Sequence, residues 1–209
     1  MKQALIVIVM LIIGVLGSFT AITYHKQEPE LTTSYLYPKQ RQLSPFQLTD
    51  QYGKPFSNDS LKGKWSLLFI GYTSCPDVCP TTLTKLAAAY RELTQTIDIQ
   101  VVFISADPAR DTQDKLLDYV NFFNSDFVAV TAPHSSLLPL SRELGFVYAM
   151  VGDGPDYQVD HSASMTLISP EGKRYATIKP KEGPMGQLPQ ISTNDLIGDI
   201  RQIHAHYRL

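Results

Sequence analysis

The 209-residue sequence has little cysteine and no surplus of positive charge. Its 18 Lys and Arg face 20 Asp and Glu, leaving a net charge of -2, and the basic residues are scattered rather than clustered. Without a basic field to gather phosphates, nucleic acid is not an expected partner. Internal repeats and low-complexity tracts are absent. No cysteine lies near residue 20, which excludes lipid attachment there. With 44% hydrophobic and 18% charged residues, the composition fits one globular domain plus a short appendage.

The appendage is N-terminal. After Lys2, residues 4–22 (ALIVIVMLIIGVLGSFTAI) run without a charge. At ~1.5 Å per residue such a run spans roughly 28 Å, close to the ~30 Å hydrocarbon core of a bilayer. A cleaved signal peptide is the alternative, but its apolar region is about 7–15 residues long and ends in a small-x-small site. Lys2 and the terminal amine precede the run, and Lys26 is offset by Glu28 and Glu30, which orients the N-terminus inward. So short a leading segment leaves no room for an Arg-rich transit peptide. The expectation is a bacterial inner-membrane anchor over residues 1–25, a polar tether over 26–42 containing Pro29 and Pro38, and a domain over 43–209 facing the periplasm.

Within that domain the pattern alternates. Residues 46–57 carry a hairpin signal around Tyr52-Gly53-Lys54. WSLLFIGY (65–72) has the length of a buried parallel strand, and PTTLTKLAAAYRELT (80–94) has helical spacing with Pro80 suited to a first position. The order repeats with a strand at 101–106, a helix at 112–123 capped by Asp111 or Thr112, and a strand at 127–132. A helix over 137–144 is interrupted by Pro139 and ended by Gly145. Strands at 147–151, 164–169 and 174–178 follow, then a helix over 193–204 with Asn194 as candidate cap. Two β-α crossovers followed by hairpins and a terminal helix describe an α/β, thioredoxin-like fold: a central mixed β-sheet flanked by helices.

Both cysteines lie in GYTSCPDVCP, where a buried strand yields to a helix. Unpaired N–H groups at a helix N-terminus favour thiolate. A structural disulfide there would close few residues and remove little chain entropy. Two inert buried thiols fit poorly with Asp77, Pro76 and Pro80 around them. A redox dithiol and a metal site remain. Redox pairs of the thioredoxin type use C-x-x-C, whereas three residues intervene here, and the wider loop favours a ligand pair. A peroxidatic pattern would need Pro at 68 and Thr at 72, where the sequence has Leu68 and Tyr72. Two thiolates select Cu(I) or Zn(II) but need a third ligand from elsewhere.

Of the five histidines, His25 is in the tether, His134 in a loop after a strand, and His204 and His206 near the C-terminus. His161 lies in YQVDHSASMTLIS, just before a strand, where a thioredoxin-like sheet brings the chain near the first β-α turn. Cys75, Cys79 and His161 form a three-coordinate set matched to Cu(I). Asp160 is a candidate to orient the ring. Met165 is available as a soft auxiliary ligand, though a residue inside an apolar strand packs in the core by default.

Three segments, FIGYTSCPDVCPTTL, ISADPARDT and VDHSASMTLISPEG, occur in the order found in the SCO/SenC copper chaperones, and the sequence resembles that family from residue 46 to 178. The resemblance implies a thioredoxin-like fold with an added N-terminal β-hairpin and an inner-membrane anchor. It implies binding of Cu(I) and Cu(II) through Cys75, Cys79 and His161, with delivery to the binuclear copper site of a respiratory cytochrome c oxidase. The implied partners are the copper-bearing oxidase subunit and a periplasmic thioredoxin-like reductant. On this reading the chain is a metallochaperone rather than an enzyme. The alternatives are a thiol-disulfide oxidoreductase acting through Cys75 and Cys79 on the oxidase copper-ligand cysteines, and a copper or redox sensor. Asp107, Arg110 and Asp111 belong to the second segment and read as a helix cap and an ion pair ordering a loop. The segment 181–191 is longer than the family usually carries, and the hairpin 147–159 is rich in Gly and Asp.

Overall fold

The apolar run after Lys64 becomes the middle of a sheet. Trp65–Gly71 (β4) is buried at every position, as a strand covered on both faces must be. Its parallel neighbour is β5 (Ile99–Ser105), and β6 (Val128–Thr131) lies parallel beyond it. Helices α1 (Val78–Leu93) and α2 (Gln113–Phe123) make the crossovers. The computed structural model describes residues 3, 10–14, 29–154, 156–181 and 189–208.

The remaining strands complete an eight-stranded mixed sheet of order β1-β10-β9-β4-β5-β6-β2-β3. Here β1 is Ser34–Gln42, β2 Gln47–Asp50, β3 Pro55–Ser57, β9 Met165–Ile168 and β10 Lys173–Ile178. The expected N-terminal hairpin is β2 and β3. It extends the sheet by pairing antiparallel to β6. Two short strands, β7 (Tyr148–Val151) and β8 (Gln158–His161), pair only with each other. Helices α3 (His134–Leu144) and α4 (Thr193–Tyr207) finish the chain, with α4 packed beside α1. The architecture is the expected thioredoxin-like α/β arrangement.

Several local expectations need correction. The stretch read as tether is a strand from Ser34 onward: SYLYPKQRQ pairs with β10 as the sheet's edge. An edge strand buries little and tolerates Pro38, where the register shifts between Leu36 and Arg41, so it carries neither alternation nor an apolar run. Helix α3 starts at His134, ahead of Pro139, because Leu137, Leu140 and Leu144 line one buried face around the proline. Gly145 ends it in the left-handed region at φ +80°, as expected. The cap of α4 is Ser192, whose hydroxyl accepts from Asp195 N, rather than Asn194. His161 closes strand β8 instead of sitting in a loop.

Among the described residues no helix is long and apolar enough to cross a membrane. The anchor expected over 4–22 lies outside the described residues apart from 10–14, which are helical. Of the long segment 181–191, residues 182–188 lie outside them too. Its ends are paired, Lys181 bridging Gln190, and Lys85 Nζ donates to Gln190 Oε1 at 2.6 Å.

Candidate metal centre

Sheet topology explains why distant residues meet. Strand β9 runs antiparallel to β4, pairing Met165 with Phe69, so the chain entering β9 lies at the C-terminal end of β4. The cysteine loop leaves from that same end. The sulfurs of Cys75 and Cys79 and a ring nitrogen of His161 consequently lie within 4.8 Å of one another. No other such group of His, Cys, Asp and Glu occurs among the described residues. All three residues singled out from the sequence are brought together; His25 lies outside the described residues, and His134, His204 and His206 are not part of the cluster.

Helix α1 begins two residues earlier than its pattern implies, which places Cys79 inside the first turn, fully buried, and Cys75 half-buried in the loop before it. The Cys79 N–H, one of the orphan donors of that turn, points at the Cys75 sulfur at 3.5 Å. The Cys75 pKa is brought down to about 3, first by a hydrogen bond from the Cys79 thiol and then by His161 and the N–H groups of Asp77 and Cys79, against the opposing effect of burial. Cys79 moves the other way: its role as donor to Cys75, together with burial, pushes its thiol far up. One sulfur is thus a thiolate and the other a thiol that shares its proton.

His161 turns Nε2 toward the cysteines, 3.2 Å from Cys79 Sγ. Its other nitrogen, Nδ1, lies 3.1 Å from the carbonyl of Ser162. A carbonyl only accepts, so Nδ1 carries a proton, and Nε2 is the nitrogen turned to the sulfurs. The orienting acceptor is therefore this backbone carbonyl and not Asp160. Phe69 and Tyr72 meet the imidazole edge-on at 5.9 and 6.1 Å, which fixes its plane. Met165 is fully buried within β9 and packs in the core. An open cleft of about 410 Å³ leads to Cys75 and His161, walled by Tyr72, Val159 and Pro189.

Sequence reasoning underrated the segment after β5. Asp111 does not cap α2; Thr112 does, accepting from Lys115 N. Asp111 is buried and accepts from Thr73 N at 3.0 Å, Thr73 Oγ1 at 2.6 Å and Ser105 Oγ at 2.5 Å. Thr73 is two residues before Cys75. Asp107, also buried, takes Arg110 Nε at 2.5 Å, the expected ion pair, and in addition the Tyr157 hydroxyl. The strand-then-helix position with two carboxylates was the available signal, but a partner 38 residues away cannot be read from local spacing.

The chemistry of this donor set suits a soft metal ion, with two sulfurs and one imidazole around an open face. The same atoms suit thiol exchange, with a thiolate backed by a buried second thiol.

Comparisons with known proteins place these residues in a family. Residues 36–193 match the family described as SCO1/SenC. An SCO2-like protein of Rickettsia conorii is 35% identical over 188 residues, covering 85% of this chain and 92% of that one. The crystal structure of Arabidopsis thaliana ScoI with copper bound has a TM-score of 0.68 at 32% identity, over 79% of this chain and 99% of that one. Bradyrhizobium japonicum ScoI with copper bound gives 0.64 at 29% identity, over 78% and 99%. With its fold, its cysteine-histidine cluster and its second segment all in place, the chain belongs to the SCO1/SenC family.

Proposed function

We propose that this protein is a copper metallochaperone that holds its cargo between Cys75, Cys79 and His161 and delivers it to the binuclear copper site of a respiratory cytochrome c oxidase. The observation that carries the reading is the orientation of the His161 ring: Nδ1 is committed to the Ser162 carbonyl and Nε2 faces two sulfurs. Such a set is suited to accept a metal ion, since a ring fixed through Nδ1 presents its other nitrogen to two sulfurs at once. Relatives solved with copper bound support copper as the ion.

Two thiolates and an imidazole satisfy Cu(I) and also accommodate Cu(II), while the open cleft leaves access for an incoming ligand from a recipient. The recipient is the copper-bearing oxidase subunit. The domain stands on the periplasmic face of a bacterial inner membrane, held by the apolar segment 4–22. Met10, Leu11, Ile12 and Ile13 are large apolar side chains left exposed, which supports a lipid environment. Loading with Cu(I) requires both cysteines reduced, so a periplasmic thioredoxin-like reductant is a second partner.

The test is Cu(I) retention by the reduced full chain against a competing chelator, followed by transfer to the oxidase subunit. One tightly held copper, lost in Cys75→Ser, Cys79→Ser and His161→Ala, is the expected result. Failure of the wild type to retain Cu(I) would overturn the reading.

One observation favours a second reading, thiol-disulfide exchange with the oxidase copper-ligand cysteines. Cys75 is accessible and thiolate while Cys79 is buried and protonated, the division of labour between an attacking and a resolving thiol. In exchange, Cys75 attacks a disulfide sulfur of the substrate and expels its partner thiolate. Cys79 then closes the Cys75–Cys79 disulfide, and the substrate leaves as a dithiol. His161→Ala separates the two functions, because it removes a copper ligand and leaves both thiols.

A further inference from the structure

The three donors ride on two separate pieces of chain. Cys75 and Cys79 belong to the loop and helix that follow β4, whereas His161 ends a two-stranded hairpin that pairs with no strand of the main sheet. Something must set the gap between them. The segment 106–112 touches both.

On one side, Asp111 takes three hydrogen bonds, two of them from Thr73 in the cysteine loop. On the other, Asp107 accepts from the Tyr157 hydroxyl at the entrance to β8. The Arg110 guanidinium, paired to Asp107, lies 3.7 Å from the centre of the Tyr157 ring and 5.7 Å from that of Tyr72. Tyr72 in turn donates to Gln158 Oε1 at 2.7 Å, a second tie between the two pieces. The two halves of the segment are joined through Ser105, whose hydroxyl donates to Asp111 and accepts from Asp107 N at 3.1 Å. Asp107, Asp111 and Ser105 are all buried. Charge-assisted bonds in such surroundings are strong and directional.

We infer that the segment 106–112 is a common seat for both donor-bearing pieces, and that Asp107, Arg110, Asp111 and Ser105 are positioning residues that set the distance from the cysteine sulfurs to His161. The inference rests on the copper reading above for its consequence, a Cu(I) affinity tuned from outside the ligand set. Its mechanical content is independent of metal.

The experiment therefore has two arms on the full chain. In the metal-free arm, backbone amide exchange is followed in Tyr157→Phe, Thr73→Val and Ser105→Ala. Tyr157→Phe should speed exchange in β8 by about tenfold, the scale of one lost charge-assisted bond, and leave residues 73–79 alone. Thr73→Val should do the reverse, and Ser105→Ala should loosen both. Unchanged β8 exchange in Tyr157→Phe, or a Ser105→Ala effect confined to one piece, would overturn the seat.

In the copper arm, Tyr157→Phe should weaken Cu(I) retention by about tenfold in the wild-type background and should leave unchanged the weaker residual affinity of the two sulfurs in His161→Ala, read against a weaker competitor. An equal loss in both backgrounds would overturn positioning through His161. A wild type that holds no Cu(I) would defeat the copper reading alone, since the exchange arm still decides whether the seat exists.

Discussion

A β-carbon placed on Gly71 would stand 2.6 Å from the Cys79 sulfur and 2.9 Å from the ring of Phe103. The last residue of β4 is glycine because the buried sulfur lies directly against its backbone. Gly71→Ala must push Cys79 away or bend the strand. The expected cost is about 1–3 kcal/mol of stability, with weakened Cu(I) retention. Urea denaturation beside chelator competition checks both, and a variant as stable and as tightly loaded as wild type would refute the contact.

The two cysteines start from different protonation states, so cargo uptake should release protons unequally. Cys75 is already a thiolate at neutral pH, with its pKa brought down to about 3, whereas Cys79 must surrender a proton to become a ligand. Calorimetry in buffers of different ionisation enthalpy should register about one proton released per Cu(I) near pH 7. Two would show that both sulfurs begin as thiols.

The same asymmetry predicts selective alkylation. A brief pulse of iodoacetamide at pH 6 should modify Cys75 and spare Cys79, as read by peptide mass spectrometry. Equal labelling would contradict the assignment of Cys75 as the exposed thiolate.

At the far edge of the sheet, the buried carboxylate of Asp199 accepts from Thr32 N, Thr33 N, Thr33 Oγ1 and Ser34 N, fastening the start of β1 to α4. Burial works to raise its pKa, but the hydrogen bonds from Thr32, Thr33 and Ser34 prevail and hold it below the ordinary value. A depressed folded pKa means that its stabilisation is complete above the unfolded value near 4 and is lost as pH falls through the folded one. Asp199→Asn should cost roughly 2–3 kcal/mol at pH 7 and progressively less in acid. Denaturant midpoints measured from pH 7 down to 3 test this, and a pH-independent difference would count against it.

Trp65, the single tryptophan, donates its indole N–H to His204 Nδ1 at 3.1 Å. That bond needs a lone pair on Nδ1 and so a neutral ring. Burial, and then Arg208, lower the His204 pKa. Its contribution to stability is therefore present above about 6.5 and lost as pH falls through the lower folded value. Trp65 fluorescence should change with a midpoint below about 6.5, and the transition should vanish in His204→Ala. A transition unaltered by that substitution would assign it elsewhere.

What the sequence displayed and what it hid divide along a physical line. The buried strands β4, β5 and β6 were visible because a residue covered on both faces leaves a continuous apolar run, while Gly53 marked the β2–β3 turn and Gly145 the end of α3. The cysteine-histidine set was legible because soft ligands are rare and Cys75 and Cys79 are the only thiols. Strand β1 was hidden, since its order comes from backbone pairing with β10 and from Asp199, neither of which leaves a pattern in SYLYPKQRQ. Asp111 was misread for a similar reason: a carboxylate beside a helix start looks like a cap, and its partner Thr73 becomes a neighbour only when β4 and β5 align.

The separateness of the β7–β8 hairpin has a consequence for the order of events at handover. For a cargo held by these three donors, the cysteines form a chelate on one loop and the helical turn that follows it, where losing one sulfur leaves the other close at hand. The imidazole is a single donor that reaches the sulfurs from a different sheet, so its loss leaves the chelate of the two sulfurs in place. On the metallochaperone reading proposed above, an incoming ligand would replace His161 first and the sulfurs would follow one at a time, so the metal would never be bare between donor and acceptor.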